Sequence, residues 1–229
     1  YETKSSYNVR LQVTDSGDES YTKAFTLSVN DLNESPTSLT LSATSFNESV
    51  NAGSTVANLS TTDADSSDTH NYSLVNGSGD TDNNSFTIDG SSLKIKTSPD
   101  YERKSSYRIR LQTTDSSGET YAKAFTLSVN GVNESPSNIS LSSSSLNENI
   151  ASSSTVATLS SSDPDFSDTH TYALVSGSGD TDNNSFTIDG SSLKIKASPD
   201  YETKSSYSIR LQTTDSGNET YAKAFSFNV

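Results

Sequence analysis

The chain has 229 residues, enough for one to three ordinary domains, and carries 29 acidic against 15 basic residues for a formal net charge of −14. That sign excludes nucleic acid and anionic membrane surfaces as natural partners, since both demand a basic protein face. The absence of cysteine excludes disulfides, thiol chemistry and cysteine-based zinc sites, and leaves metal bound through oxygen as the open possibility.

Residues 1–36 hold two strand-like segments, the second ending near Val29, followed by Asn33-Glu34-Ser35-Pro36. In the next stretch, Leu39 with Leu41, Val56 to Leu59, Tyr72 to Val75, Phe86 with Ile88, and Leu93 with Ile95 predict five short strands. Asp89-Gly90 supplies a tight turn between two of them. Two longer strands follow. Tyr107, Ile109 and Leu111 alternate with Arg108, Arg110 and Gln112, and Tyr121, Phe125, Leu127 and Val129 alternate with polar neighbours, the period of 2 of a half-buried strand. No helical periodicity competes. Although only 29% of the residues are hydrophobic, a fraction that would permit disorder, this patterning argues for a packed core.

The same series then returns. Tyr1-Glu2, Tyr101-Glu102 and Tyr201-Glu202 open equivalent blocks, and Asp80-Thr81-Asp82-Asn83-Asn84 recurs as Asp180 to Asn184. A period of about 100 residues suits a whole β-sandwich domain rather than a helical solenoid unit. We place boundaries at Pro36 and Pro136, where a fixed φ and a missing N–H stop one strand before the next begins. Residues 1–36 then form the C-terminal hairpin of a preceding repeat plus a linker, 37–136 a full repeat plus linker, and 137–229 a second repeat. Seven short antiparallel strands per repeat predict an all-β fold of tandem seven-stranded Greek-key β-sandwiches, immunoglobulin-like in architecture. With no initiating methionine, signal peptide or membrane span, the chain reads as an interior stretch of a longer one. A lone hairpin is marginal in water, so residues 1–36 are expected either to continue a longer array or to take strands from another molecule.

The acidic residues gather where strands end. Converging carboxylates repel, so such a cluster favours a hard cation, and Ca²⁺ takes six to eight oxygen ligands. Asn47-Glu48, Asp63-Ala64-Asp65, Pro99-Asp100-Tyr101-Glu102, Thr114-Asp115 and Asp31-Leu32-Asn33-Glu34-Ser35-Pro36 together resemble the calcium motifs of cadherin repeats, in the form found in bacterial cadherin-like proteins. The resemblance covers the whole chain and five motifs in the family's order. It implies calcium between successive repeats. For the junction of the two full repeats, it implies Glu48, Asp100 and Glu102 from upstream, Asn133 and Glu134 from the linker, and Asp163, Asp165 and Asp215 from downstream. For the earlier junction it implies Glu2, Asp31, Asn33, Glu34, Asp63, Asp65 and Asp115, while Glu148, Asp200 and Glu202 form the same upstream set at the far end. Two features depart from the pattern. Asp31 becomes Gly131 in the second linker, and the linker is one residue shorter than the vertebrate form. The asparagine that family members place after the paired aspartates is out of register, with Asp68 and Asp168 as stand-ins.

Other motifs weigh less. Asp80 to Asn84 has the spacing of an oxygen-rich calcium loop but lacks its glycine and distal glutamate, so a hydrogen-bonded turn is expected. His70 and His170 read as surface or edge residues without a partner. Neither a nucleophile elbow nor a Ser-His-Asp arrangement is present, so no catalysis is expected. Asn58 and Asn71 head sequons that so Asn- and Ser-rich a chain produces by chance. The leading expectation is an extracellular, cell-surface spacer or stalk stiffened by calcium, with neighbouring repeats as partners. The alternative is a calcium-dependent adhesive module binding like chains or polysaccharide, which the absence of tryptophan does not favour.

Overall fold

The computed structural model describes residues 1–229, which divide into two compact units, Tyr1–Gly131 and Val132–Val229. The first unit begins with an antiparallel hairpin of β1 (Ser6–Thr14) and β2 (Ser20–Ser28). The full repeat behind it contains β3 (Ser38–Leu41), β4 (Ser45–Asn47), β5 (Thr55–Thr62), β6 (Asn71–Leu74), β7 (Phe86–Asp89), β8 (Ser92–Ile95), β9 (Ser106–Thr114) and β10 (Thr120–Asn130). They form two sheets, ordered β3-β5-β8-β7 and β4-β10-β9-β6, whose non-sequential neighbours are the Greek-key connections. All pairings are antiparallel except β4 with β10.

All seven strands read from the sequence form, and β4 is an eighth. Its three residues hold one apolar side chain, Phe46, too few for an alternation signal; pairing with β10 is what makes them a strand. β3 and β4 thus carry one stretch of chain from one sheet to the other.

The second unit repeats this with β11 (Asn138–Leu141), β12 (Thr155–Ser162), β13 (Thr171–Leu174), β14 (Phe186–Asp189), β15 (Ser192–Ile195), β16 (Ser206–Thr214) and β17 (Thr220–Asn228). Its sheets run β11-β12-β15-β14 and β13-β16-β17, and a single parallel bridge between Ser145 and Asn228 stands where β4 does.

Inward-facing residues of both sheets close each core. In the first unit the Phe86 ring meets Tyr107 edge-on at 5.3 Å and Phe46 at 6.4 Å. In the second, Phe186 meets Tyr207 at 5.5 Å and stacks on Phe227 at 5.8 Å. Phe46 has become Leu146 and Leu127 has become Phe227, so one phenyl ring crosses from one strand position to another while core volume is kept. The hairpin differs. Leu11 is 58% exposed, whereas Leu111 and Leu211 at the equivalent positions are fully buried.

The loops that hold the acidic residues are pinned from below. Gly79 sits at φ +90°, and a Cβ there would lie 2.7 Å from the Cβ of Ala124, so only glycine lets this loop lie against β10. The Asp80–Asn84 segment is a hydrogen-bonded turn. Asp80 accepts from the Gly77 N–H, Asp82 from the Arg108 N–H and Lys104 Nζ, and Asn83 bridges Val75 O and the Arg110 N–H. The Asp82 carboxylate, the Asn83 amide oxygen and one oxygen of Asp80 are thus committed to the protein, as expected of a turn.

Candidate calcium-binding clusters

Strand ends bring carboxylates together because a turn at the end of a sandwich leaves side chains of different strands side by side. In the first unit, one oxygen from each of Asp63, Asp68 and Asp115 lies within 4.8 Å of the others, and the same holds for Glu48, Asp100 and Glu102 and for Glu2, Asp31 and Asp65. The second unit carries Asp163, Asp168 and Asp215 and, separately, Glu148, Asp200 and Glu202.

The Asp63 trio is built on local turns. Asp115 closes the β9–β10 turn, its Oδ1 accepting from the N–H groups of Ser117 and Glu119 at 2.9 Å. Burial pulls the Asp115 carboxyl upward, but the Asn33 amide and the N–H groups of Glu119, Ser117 and Gly118 outweigh it and leave the group below the ordinary aspartate range. Asp63 Oδ2 lies 2.9 Å from His70 Nε2, and its Oδ1 accepts from the Asp65 N–H at 3.3 Å. Asp68 Oδ1 accepts from Ser116 Oγ at 2.8 Å. The pattern recurs in the second unit, with His170 at 2.8 Å from Asp163 and Ser216 at 2.7 Å from Asp168.

Both histidines therefore depart from expectation. Each is mostly buried and paired with a carboxylate, seven positions away in sequence but adjacent across the β5–β6 loop, a proximity no local motif announces.

Linker residues reach these trios directly. Asn33 Nδ2 donates to Asp115 Oδ2 at 3.0 Å, and the Glu34 N–H donates to Asp65 Oδ2 at 2.9 Å. Asn133 and Glu134 repeat this to Asp215 and Asp165 at 3.1 and 2.7 Å. In the first linker, desolvation raises the Asp31 carboxyl, helped by its hydrogen bond to Glu2 and by repulsion from Asp65 and Glu2. Glu34 is raised by desolvation and by the charges of Glu2, Asp65 and Asp31. Its carboxylate joins no trio. Upstream, Glu48 Oε2 accepts from the Tyr101 N–H at 2.7 Å, which fastens the Asp100–Glu102 loop beside it.

The residues fit a hard divalent cation. Asp68 Oδ2 and Asp168 Oδ2 are buried atoms without any hydrogen-bond partner, and each belongs to a carboxylate of an acidic trio. An anionic oxygen in that setting is costly unless a cation compensates it. Carboxylate oxygens, an asparagine and loop backbone make an oxygen-only donor set, which suits Ca²⁺ and offers nothing to a thiophilic metal.

Comparison with known proteins follows the same line. Residues 42–130 match the family model described as "Cadherin domain". Over this stretch the chain is similar to cadherin domains. A Caenorhabditis elegans protein, Cadherin-4, is 32% identical over 139 residues, which is 59% of this chain and 3% of the nematode protein. The extracellular domain of protocadherin GammaB4 covers 99% of this chain with a TM-score of 0.65 at 20% identity, and this chain covers 37% of it. Human Protocadherin-24 EC1-2 covers 86% of this chain, with 98% of its own length matched, at a TM-score of 0.64 and 18% identity. At those identities the likeness to solved structures establishes the fold, a tandem of cadherin-like sandwiches. The relative found is an animal protein and not a bacterial one, so the bacterial form of the resemblance goes no further than its motifs.

Proposed function

We propose that this chain is a calcium-stiffened stretch of extracellular cadherin repeats, bounded at Pro36 and Pro136, that acts as a spacer or stalk in a cell-surface adhesin and catalyses nothing. The observation that carries this reading is the pairing of linker and trio. Asn33 and Glu34 are hydrogen-bonded to Asp115 and Asp65, so an ion in the trios ties the linker to the repeat behind it. Glu2, Asp31, Asn33, Glu34, Asp63, Asp65, Asp68 and Asp115 would hold it at the first linker. Glu48, Asp100 and Glu102 and, in the second unit, Asn133, Glu134, Asp163, Asp165, Asp168 and Asp215 serve the second. Ca²⁺ supplies charge neutralisation there, and the side chains supply orientation. Extracellular modules bind Ca²⁺ with Kd about 10⁻⁴ to 10⁻³ M, so calcium outside cells suffices.

Small-angle X-ray scattering in millimolar calcium and in excess chelator tests this. Calcium should narrow the distribution of dimensions; superimposable profiles would reduce the trios to surface charge. The second reading is adhesion between like repeats, which the printed name of the nematode relative favours through its family. Calcium-dependent aggregation of beads carrying the chain would select it. We assign no polysaccharide ligand.

A further inference from the structure

The two linkers differ at one position, and the difference is structural. Asp31 belongs to the trio with Glu2 and Asp65. At the equivalent place stands Gly131, and a Cβ built there would lie 3.2 Å from Tyr101 Cδ1 and 3.5 Å from Cε1 and Cγ. Three ring atoms at that range place the Tyr101 ring against the linker backbone. Gly131 does not occupy a left-handed conformation, so its backbone angles do not demand glycine; its bare Cα instead lets the Tyr101 ring lie closer than a side chain would comfortably allow. Strand β10 also runs up to the linker. Asn130 pairs with Asn47 of β4, with a side-chain hydrogen bond of 3.1 Å.

Resting on the calcium reading above, we propose that the two linkers depend unequally on calcium: the first is ordered by a cation that its carboxylates require, and the second is held at its upstream end by an aromatic clamp, Tyr101 on Gly131, that requires none. An aspartate at 131 would add an oxygen ligand and press its Cβ on the ring, which would have to give by a few tenths of an ångström. Position 131 thus exchanges a cation ligand for a packing contact. An array built this way does not loosen uniformly as calcium falls; carboxylate linkers release first.

Hydrogen exchange by mass spectrometry tests this on the full chain, comparing peptides over residues 28–35 and 128–135 in calcium and in chelator. In chelator, the 128–135 segment should exchange at least about tenfold more slowly than 28–35, a difference equivalent to ~1.4 kcal/mol of local opening. Gly131→Asp and Tyr101→Ala should each abolish that protection. The double variant Tyr101→Ala with Gly131→Asp should regain it in calcium only. Exchange in β9 and β16 serves as the control for folding. Equal exchange of the two wild-type linkers in chelator, or unaltered protection in Gly131→Asp, overturns the clamp. If calcium leaves 28–35 unchanged, the calcium reading fails, and the chelator comparison still decides on the clamp.

Discussion

Replacing Asp215 separates its structural duty from its ionic one. In the second unit its Oδ1 accepts from the Glu219 N–H at 2.8 Å and its Oδ2 from Asn133 at 3.1 Å, and the side chain is nearly buried. Asp215→Ala deletes both bonds, at about 1 kcal/mol each. In chelator that is about 2 kcal/mol, or roughly 8–16 °C of Tm for a domain of this size. Asp215→Asn retains one oxygen, keeps the turn bond and gives up the one to Asn133, so it should lose only about half as much.

Calcium discriminates further. At about 10 mM Ca²⁺ and a Kd near 10⁻⁴ M, the wild-type unit gains about 2.7 kcal/mol. Loss of one carboxylate from the trio, taken as a tenfold to hundredfold loss of affinity, leaves a gain of roughly 0.4–1.4 kcal/mol. Differential scanning calorimetry of the full chain, with and without calcium, reads both quantities. If Asp215→Asn gains as much from calcium as the wild type, Asp215 is a turn-closing residue and the assignment of a cation to its trio is wrong.

The exchange of Phe46 and Leu127 for Leu146 and Phe227 gives a second test. Leu127→Phe alone should overpack the first core by about 1–3 kcal/mol, and adding Phe46→Leu should recover most of it, a coupling that denaturant titration detects. Leu111→Ala should cost about 2–5 kcal/mol, whereas Leu11→Ala at the equivalent but exposed hairpin position should cost less than about 0.5 kcal/mol; similar losses would mean that the hairpin face is covered in solution. Acidity provides a fourth. Asp31 and Glu34 have raised carboxyls, so in chelator their contribution favours order below the unfolded carboxyl value and is lost as pH rises through the folded one. Asp115 is lowered, so its contribution is present above the unfolded value and lost as pH falls through the folded one. Lowering the pH from neutrality toward the ordinary carboxyl range should therefore raise protection factors, corrected for intrinsic exchange, in residues 28–35 before the Asp115 turn weakens on further acidification. A monotonic loss of protection from neutrality would contradict the repulsion at Asp31.

Much of this was legible in order along the chain. Alternation in β9 and β10 and the recurrence of Tyr-Glu blocks each report a local property, side-chain period and repetition. The acidic motifs were legible for the same reason, since their residues lie within a few positions of one another at strand ends. β4 was not, because three residues with one phenylalanine acquire strand geometry only from β10, more than 80 positions later. Nor were the carboxylate partnerships. His70 meets Asp63 through the fold of the β5–β6 loop, and the orphaned Asp68 oxygen exists only because packing removes it from water. The glycine at 131 was visible as a missing ligand, but only the structure shows the Tyr101 ring occupying the space of the absent side chain. Sequence determined which groups stand at the ends of the strands; tertiary structure decided which of them touch and what each one lacks, because contact and desolvation depend on residues brought together from distant parts of the chain.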